Sequence, residues 1–233
     1  MLKAMPRYRG YGQLCPVARA AELLAERWTP IIVRELLYGS RHFNELRRGI
    51  PLISPSMLSQ RLRTLVDAGV IERCRIAGAS GRSAWEYRLL PAGRDLGPLI
   101  EQFGLWGQRW ATSGMRREDL DASSLMWAAH RCLRVDALRR AHAVLAFELL
   151  DAPANKRRWW IMVRDEQVEL CVRNLGYAVD LTVSTRVRAL ADLLLGRLSP
   201  VAATRSGAIR LEGTAALART FADWCPRSPY AGR

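Results

Sequence analysis

The sequence predicts a two-domain α+β protein, with an N-terminal winged helix-turn-helix domain carrying a dimerisation helix and then an α+β domain built on a five-stranded sheet. Residues 42–89 support the first domain, because their apolar pattern follows the order helix, turn, helix and two-stranded ribbon. Residues 125–225 support the second, since a helical period there gives way to short alternating strands and then to helix, strand and helix. A chain of 233 residues is long enough for two ordinary cores.

Composition sets the predicted domain boundaries. We expect the winged-helix domain to occupy residues 1–113. Residues 114–124 are polar and begin with a glycine, which is typical of a linker. The second domain then spans residues 125–225, and residues 226–233 form a tail.

The second helix of the helix-turn-helix is well defined by its ends. Ser54 is a candidate N-cap, Pro55 suits the first turn, and Gly69 stands where a C-terminal cap belongs. One side carries an apolar stripe of Leu58, Leu62, Leu65 and Val66. The opposite side carries Ser56, Gln60, Arg63 and Thr64, with Ser59 and Arg61 on its flanks. Such side chains can hydrogen-bond base edges and phosphates in a major groove, although an ordinary solvated helix can carry them too.

The flanking segments favour DNA binding. A short preceding helix has an apolar side and brings Arg41, Arg47 and Arg48 near the turn, where they can contact phosphates. The ribbon comprises a strand at 70–76, a turn at 78–83 carrying Arg82, and a return strand at 84–89. The expected base contacts are Ser56, Ser59, Gln60 and Arg63, and the expected phosphate contacts are Arg41, Arg47, Arg48, Arg61 and Arg82. An ordinary solvated hairpin remains the alternative for the ribbon.

Two helices are expected before residue 42. Cys15 and Pro16 open the first, which ends near residue 26, and the helix dipole favours a thiolate at its N-terminus. Most cysteines at such a position are small packing residues, and this alternative stays open for Cys15. Pro30 begins a second, strongly apolar helix that ends at Gly39.

A helix predicted at 92–112 has the spacing of a coiled-coil seam. Its apolar residues lie 3, 4, 3 and 4 positions apart, namely Leu96, Leu99, Phe103, Trp106 and Trp110. Large aromatic side chains are costly to leave in water, so we expect a partner surface, most simply a second copy of the chain. The alternative is that this helix packs only on its own domain.

The second domain is predicted to contain five strands. A helix at 125–141 precedes four meandering strands at 144–149, 158–163, 167–172 and 179–184. A helix at 187–195, a strand at 208–212 and a helix at 214–224 complete it.

Composition restricts the function further. The formal net charge of +14 favours a polyanionic partner, either double-stranded DNA or acidic lipid headgroups. The chain has five cysteines without a C-x-x-C pair and no secretory signal, as expected of a protein in the reducing cytoplasm. No apolar run is long enough for membrane insertion. The three scattered histidines and the lack of nucleophile or phosphate-loop motifs predict no metal, no cofactor and no enzyme activity.

Residues 15–110 resemble the HxlR family of bacterial transcription regulators. The matching residues are Cys15-Pro16-Val17, Leu23-Leu24, Arg27-Trp28-Thr29, Ile32 to Leu37, Arg41 to Leu46, Ile53-Ser54, Met57 to Leu62, Leu65, Ala68 to Ile71, Glu86-Tyr87, Leu90 to Gly93 and Trp106. The resemblance implies a DNA-binding homodimer, and in some members a cysteine near the position of Cys15 senses redox state. The chain lacks the proline usual before the Glu86-Tyr87 segment of the wing.

Residues 120–225 resemble the sterol-carrier-protein domain. The best-matched stretches are Asp180 to Ser184, Leu193 to Pro200 and Gly207 to Gly213. The resemblance implies a tunnel for a fatty-acyl or sterol-like ligand. Phe147, Trp159, Trp160 and Leu195 are candidates for its lining, although such residues are also typical of plain core.

The sequence therefore predicts a dimeric DNA-binding transcription regulator, and the resemblance of its second half to the sterol-carrier-protein domain implies modulation by an apolar ligand. A basic lipid-binding or lipid-transfer protein is the first alternative. An enzyme acting on an acyl ligand is the second, but the sequence identifies no catalytic groups for it.

Overall fold

The computed structural model describes residues 10–77, 83–111, 120–165, 167–174 and 176–231. These residues form two compact units that divide between Gly104 and Leu105. Of the predicted linker, residues 114–119 lie outside the described residues. The α+β fold class, with a winged helix-turn-helix followed by a five-stranded sheet with helices, is confirmed.

Five helices and a two-stranded ribbon lie wholly within the described residues of the N-terminal unit, and a sixth helix crosses the boundary after Gly104. They are α1 (Pro16–Leu24), α2 (Thr29–Leu37), α3 (Phe43–Gly49), α4 (Pro55–Asp67), β1 (Ile71–Ala77), β2 (Ser83–Leu89), α5 (Pro91–Arg94) and α6 (Gly97–Trp106). Strands β1 and β2 pair antiparallel from Ile71 opposite Leu89 to Ala77 opposite Ser83. The residues between the strands, including Arg82, lie outside the described part of the chain.

The core of this unit forms around α2 and α4. Ile32, Val33 and Leu36 of α2 share one buried cluster with the predicted apolar stripe of α4. In α4 itself Leu58, Leu62 and Leu65 are buried, whereas Val66 is partly buried. This packing fixes the rotation of α4 about its axis, because turning the helix would expose the stripe to water.

The predicted helix at 92–112 is not continuous. It is divided into α5, α6 and a π-helical segment, Gly107–Ala111. Pro98 has no backbone N–H to donate to the preceding turn, so the helix is interrupted there and Pro98 stands in the first turn of α6 instead. Leu96 lies between α5 and α6 and packs against the core of the N-terminal unit.

The second unit contains six further helices and five strands in the described ranges. They are α7 (Ala122–Arg131), α8 (Val135–Leu138), β3 (His142–Leu149), β4 (Arg158–Arg164), β5 (Gln167–Cys171), β6 (Leu181–Thr185), α9 (Val187–Leu194), α10 (Pro200–Arg205), β7 (Ile209–Gly213), α11 (Ala215–Arg219) and α12 (Phe221–Trp224). A short 3-10 turn, Ala154–Lys156, precedes β4. The sequence did not predict α10, and the predicted C-terminal helix is divided into α11 and α12.

The prediction of a four-stranded meander is wrong for its fourth strand. The sheet order is β5-β4-β3-β6-β7, and β6 pairs parallel with β3 instead of following β5. On one face of β6 Leu181, Val183 and Thr185 are buried, and on the other Ser184 is buried and Thr182 half-buried, whereas β5 is half-exposed or exposed along its length. A strand buried on both faces is stable inside a sheet, and a more exposed strand suits the edge.

Strand alternation separates two neighbouring tryptophans. Phe147 lies opposite Trp159 across β3 and β4, and both are buried in the main core. Trp160 lies opposite Ala146 and therefore points to the other face of the sheet, where it is half-buried. The inner face packs with residues of α7, α9, α11 and α12.

We predict that Phe147→Ala lowers the free energy of unfolding by about 3–5 kcal/mol, because it opens a cavity in the core of the second unit. Trp160→Ala removes a larger side chain from the opposite face and should cost clearly less. Urea denaturation followed by circular dichroism measures both. Equal losses for the two variants would contradict the assignment of faces.

Candidate nucleic-acid interface

The exposed side of α4 is polar along its whole length. Ser56, Ser59, Gln60 and Arg63 are all exposed, as the sequence predicted for base contacts. The helix is N-capped by Ser54, whose hydroxyl accepts a hydrogen bond of 3.2 Å from the backbone N–H of Met57. A capped first turn holds Ser56 at a fixed position, where its hydroxyl lies 3.1 Å from that of Ser54.

Helix α3 adds exposed cations beside α4. Arg47 and Arg48 lie exposed in its last turn. Its N-terminus is fixed by Glu45, whose carboxylate accepts from the backbone N–H groups of Arg41 and His42 at 2.7 and 3.0 Å. These two exposed guanidinium groups therefore stand on a short, well-capped helix.

Arg41 connects α3 to the ribbon. Its carbonyl oxygen accepts a hydrogen bond of 2.8 Å from the backbone N–H of Tyr87 in β2. Its side chain is about 41% exposed, with Nε 4.0 Å from the Glu86 carboxylate. The guanidinium is thus partly solvated and close to a carboxylate on β2.

Arg61 does not have the position expected of a phosphate contact. Its side chain is only 9% exposed, and Nη2 donates to the carboxylate of Glu26. Nε donates to the carbonyl oxygen of Arg27 at 3.2 Å. Arg61 lies three residues after Leu58 and four before Leu65, which places it on the buried side of α4. It joins α4 to the segment between α1 and α2.

The ribbon carries cations that the sequence analysis did not select. Arg73 and Arg75 are exposed on β1, and Arg75 pairs with Trp85 across the ribbon. The Arg73 guanidinium lies 3.9 Å from the ring centroid of Trp85, a cation–π contact. The period-two spacing of 73 and 75 was visible in the sequence and places both on one face. They lie near α3, because His42 Nδ1 is 3.1 Å from the carbonyl oxygen of Trp85.

The other face of the ribbon carries an ion pair. Arg88 donates from Nε and Nη2 to the same carboxylate oxygen of Glu86, at 3.0 and 2.7 Å. These hydrogen bonds hold the pKa of Glu86 below its ordinary value and raise that of Arg88. Glu86 is therefore ionised at neutral pH, and it offsets part of the positive charge of Arg88 and Arg41.

The predicted seam is exposed over most of its length. Leu99, Phe103, Trp106 and Trp110 are 39%, 51%, 64% and 61% exposed. Leu96 is the exception, since it packs on its own core. Leu99, Phe103 and Trp106 lie on α6, and Trp110 lies in the π-helical segment after it; neighbouring exposed apolar side chains such as those of α6 are typical of a contact surface.

Cys15 is the exposed N-cap residue of α1, and it is a free thiol.

In the second unit, the predicted ligand residues do not share one surface. Phe147 and Trp159 contribute to the buried core, and the indole of Trp159 donates to the Lys156 carbonyl oxygen at 2.7 Å. Trp160 lies on the opposite face, and Leu195 is the half-buried C-cap of α9. A single pocket cannot include both Trp159 and Trp160.

None of the helices within the described ranges combines the length and apolar character needed to cross a membrane. In the same ranges, His, Cys, Asp and Glu residues form no group of three that could hold a metal ion.

We predict that Arg61→Ala lowers the free energy of unfolding by roughly 1–3 kcal/mol, because it removes hydrogen bonds to Glu26 and Arg27. The lower half of this range is expected, since Glu26 is about one-third exposed. Arg63→Ala, on the exposed side of the same helix, should change stability little. Chemical denaturation of both variants makes the comparison, and an unchanged Arg61→Ala protein would refute the structural role.

Comparison with known families and proteins matches both halves of the chain. Residues 23–115 match the model of the HxlR-like helix-turn-helix, and residues 130–225 match that of the SCP-2 sterol transfer family. The uncharacterized HTH-type transcriptional regulator Rv3095 of Mycobacterium tuberculosis is 43% identical over 94 residues, which are 40% of this chain and 58% of that protein. The chain thus spans 58% of the length of this mycobacterial relative.

Two Bacillus subtilis proteins are similar over the same half. The uncharacterized HTH-type transcriptional regulator YvaP is 34% identical over 99 residues, which are 42% of this chain and 90% of YvaP. The reduced form of the transcriptional regulator YodB is 28% identical, with a TM-score of 0.38, over 44% of this chain and all of that one. The chain belongs to the HxlR-like helix-turn-helix family, and its residues 130–225 match the model of the SCP-2 sterol transfer family.

Proposed function

We propose that this HxlR-family chain is a sequence-specific DNA-binding transcription regulator that binds a palindromic operator as a homodimer in the cytoplasm. The observation that carries the proposal is the exposed face of α4. Its apolar side is buried, whereas hydroxyl, amide and guanidinium groups point outward over about two turns. This is the set of donors and acceptors that base edges in a major groove require.

The proposed contacts divide between bases and phosphates. Ser56, Ser59, Gln60 and Arg63 face base edges. Arg41, Arg47 and Arg48 contact phosphates, and exposed Arg73 and Arg75 of the ribbon join them. Arg82 remains an expected contact at the ribbon tip, outside the described residues. Arg61 is no longer among them, because its guanidinium is buried against Glu26.

The proposed dimer uses the exposed residues of α6 and the segment after it. Burying Leu99, Phe103, Trp106 and Trp110 against a second copy removes large apolar side chains from water. A two-fold axis then presents one α4 to each half of a palindromic site. Cys15 is accessible enough for oxidation, and we keep redox sensing at this thiol as a proposal supported by its exposure.

The second unit is proposed to bind an apolar ligand that modulates DNA affinity. The match to the SCP-2 sterol transfer family supports it. Such modulation requires a ligand that binds two states of the protein with different affinity. The same match favours a second candidate function, lipid binding or transfer without DNA recognition. Vesicle binding that is strong while all DNA sequences bind equally would favour this second candidate.

We expect Gln60→Ala and Arg63→Ala each to cost roughly 1–3 kcal/mol of binding free energy at one operator position, because each removes hydrogen bonds to one base. Arg47→Ala should weaken binding to all duplexes alike, since phosphates do not differ between sequences. Fluorescence anisotropy with single-base operator variants measures both effects. Equal losses on specific and random duplexes for every variant would disprove the base contacts.

A charge in the seam should dissociate the dimer. We predict that Phe103→Glu produces monomers at concentrations where the wild-type protein is dimeric, because it buries an unpaired carboxylate at the interface. Gln167→Glu adds the same charge at an exposed position of β5, outside the proposed seam, and should remain dimeric. Sedimentation velocity distinguishes the two. A dimeric Phe103→Glu protein would place the interface elsewhere.

A further inference from the structure

A pocket of about 400 Å³ opens on the N-terminal unit. Its walls come from the end of α2, from Arg41 between α2 and α3, from both strands of the ribbon and from α5. The lining residues are Leu36, Leu37, Arg41, Glu72, Arg88, Leu89 and Arg94. Its volume lies within the range of small-molecule sites in proteins, roughly 300–1,000 Å³.

Three guanidinium groups converge on this pocket, and two are held in place. Arg94 donates from Nη1 to the carbonyl oxygen of Leu89 at 2.7 Å, which fixes it against β2. Arg88 is held by Glu86 through two hydrogen bonds. Arg41 is more loosely placed, since its Nε is 4.0 Å from Glu86. The pocket therefore contains prepositioned donors for an anion.

The net charge of the groups around the pocket favours an anion with a single negative charge. Glu72 lines the pocket together with the three arginines, and Glu86 lies within ion-pair distance of Arg88 and Arg41. Three positive and two negative charges leave an excess of one positive charge. One carboxylate neutralises this excess, whereas a phosphate dianion leaves surplus negative charge near Glu72.

The rest of the lining is apolar, but only one of its three leucines is open to a ligand. Leu36 and Leu89 are 1% and 8% exposed, whereas Leu37 is half-buried, so a bound molecule can bury apolar surface mainly on Leu37. We propose that this pocket binds a small organic monocarboxylate, such as an aromatic or short-chain aliphatic acid, whose carboxylate contacts Arg88, Arg94 and Arg41 and whose apolar group packs on Leu37.

Because the ligand contacts Arg41, its binding also lowers the affinity of the protein for DNA. Arg41 is also a proposed phosphate contact, and this second step rests on the proposed function. A bound carboxylate competes with phosphate for the same guanidinium, so the ligand and DNA weaken each other's binding by the same factor.

Titration of the full-length protein with benzoate tests the site without DNA. Isothermal calorimetry should give saturable binding of one benzoate per chain. Neutral benzamide should bind about tenfold more weakly or worse, because a charge-assisted hydrogen bond is lost, and inorganic phosphate should also bind more weakly than benzoate.

Two variants locate the site. Arg88→Gln and Arg94→Gln should each weaken benzoate by about tenfold or more. Arg205→Gln removes an exposed arginine from α10 and should leave benzoate binding unchanged. The Arg88 side chain is 50% exposed, so Arg88→Gln is expected to fold even if Arg94→Gln does not, and circular dichroism checks both.

The site is disproved if wild-type protein does not bind benzoate saturably, if benzamide or phosphate binds as tightly, or if a folded Arg88→Gln protein binds benzoate as the wild type does. Anisotropy with a fixed duplex then tests the second step. Benzoate should weaken DNA binding by wild-type protein but not by Arg88→Gln. Saturable benzoate binding with unchanged DNA affinity would overturn the competition alone, and a protein that binds benzoate but no DNA would overturn the proposed function alone.

Discussion

Burial of the apolar side of α4 is the constraint on which the rest of the N-terminal unit depends. Leu58, Leu62 and Leu65 are all less than about 2% exposed, in one cluster with α2. With that side inside, the helix can present only its polar side to a partner. The same packing therefore stabilises the domain and orients Gln60 and Arg63.

Arg61 reinforces this orientation. Its hydrogen bonds to Glu26 and to the carbonyl oxygen of Arg27 tie α4 to the segment that connects α1 and α2. An arginine on a buried helix face needs such partners, because an unpaired buried charge is strongly unfavourable. In a chain of net charge +14, the arginines thus have two different roles, and only some are available to phosphates.

Local patterns predicted most elements of the fold, and non-local contacts account for the differences. The caps of α4, its apolar stripe and the ribbon follow from residues a few positions apart. The partner of Arg61 lies 35 residues away in the sequence, so helical spacing alone could not identify it. The parallel pairing of β6 with β3 is equally non-local, since it depends on which strands compete for the centre of the sheet. The opposite orientations of Trp159 and Trp160 follow from strand alternation, because neighbouring residues of a strand point to opposite faces of the sheet. The sequence itself was therefore sufficient to show that both tryptophans could not line one ligand pocket.

Binding of the purified protein to its own upstream DNA and to a scrambled duplex of equal length, at two salt concentrations, tests the central claim most directly. If α4 reads bases, the preference for the upstream duplex survives at the higher salt, where the phosphate contribution is weakened. Equal binding to both duplexes that disappears as salt rises would mean that only phosphates are contacted, and it would contradict sequence recognition by α4.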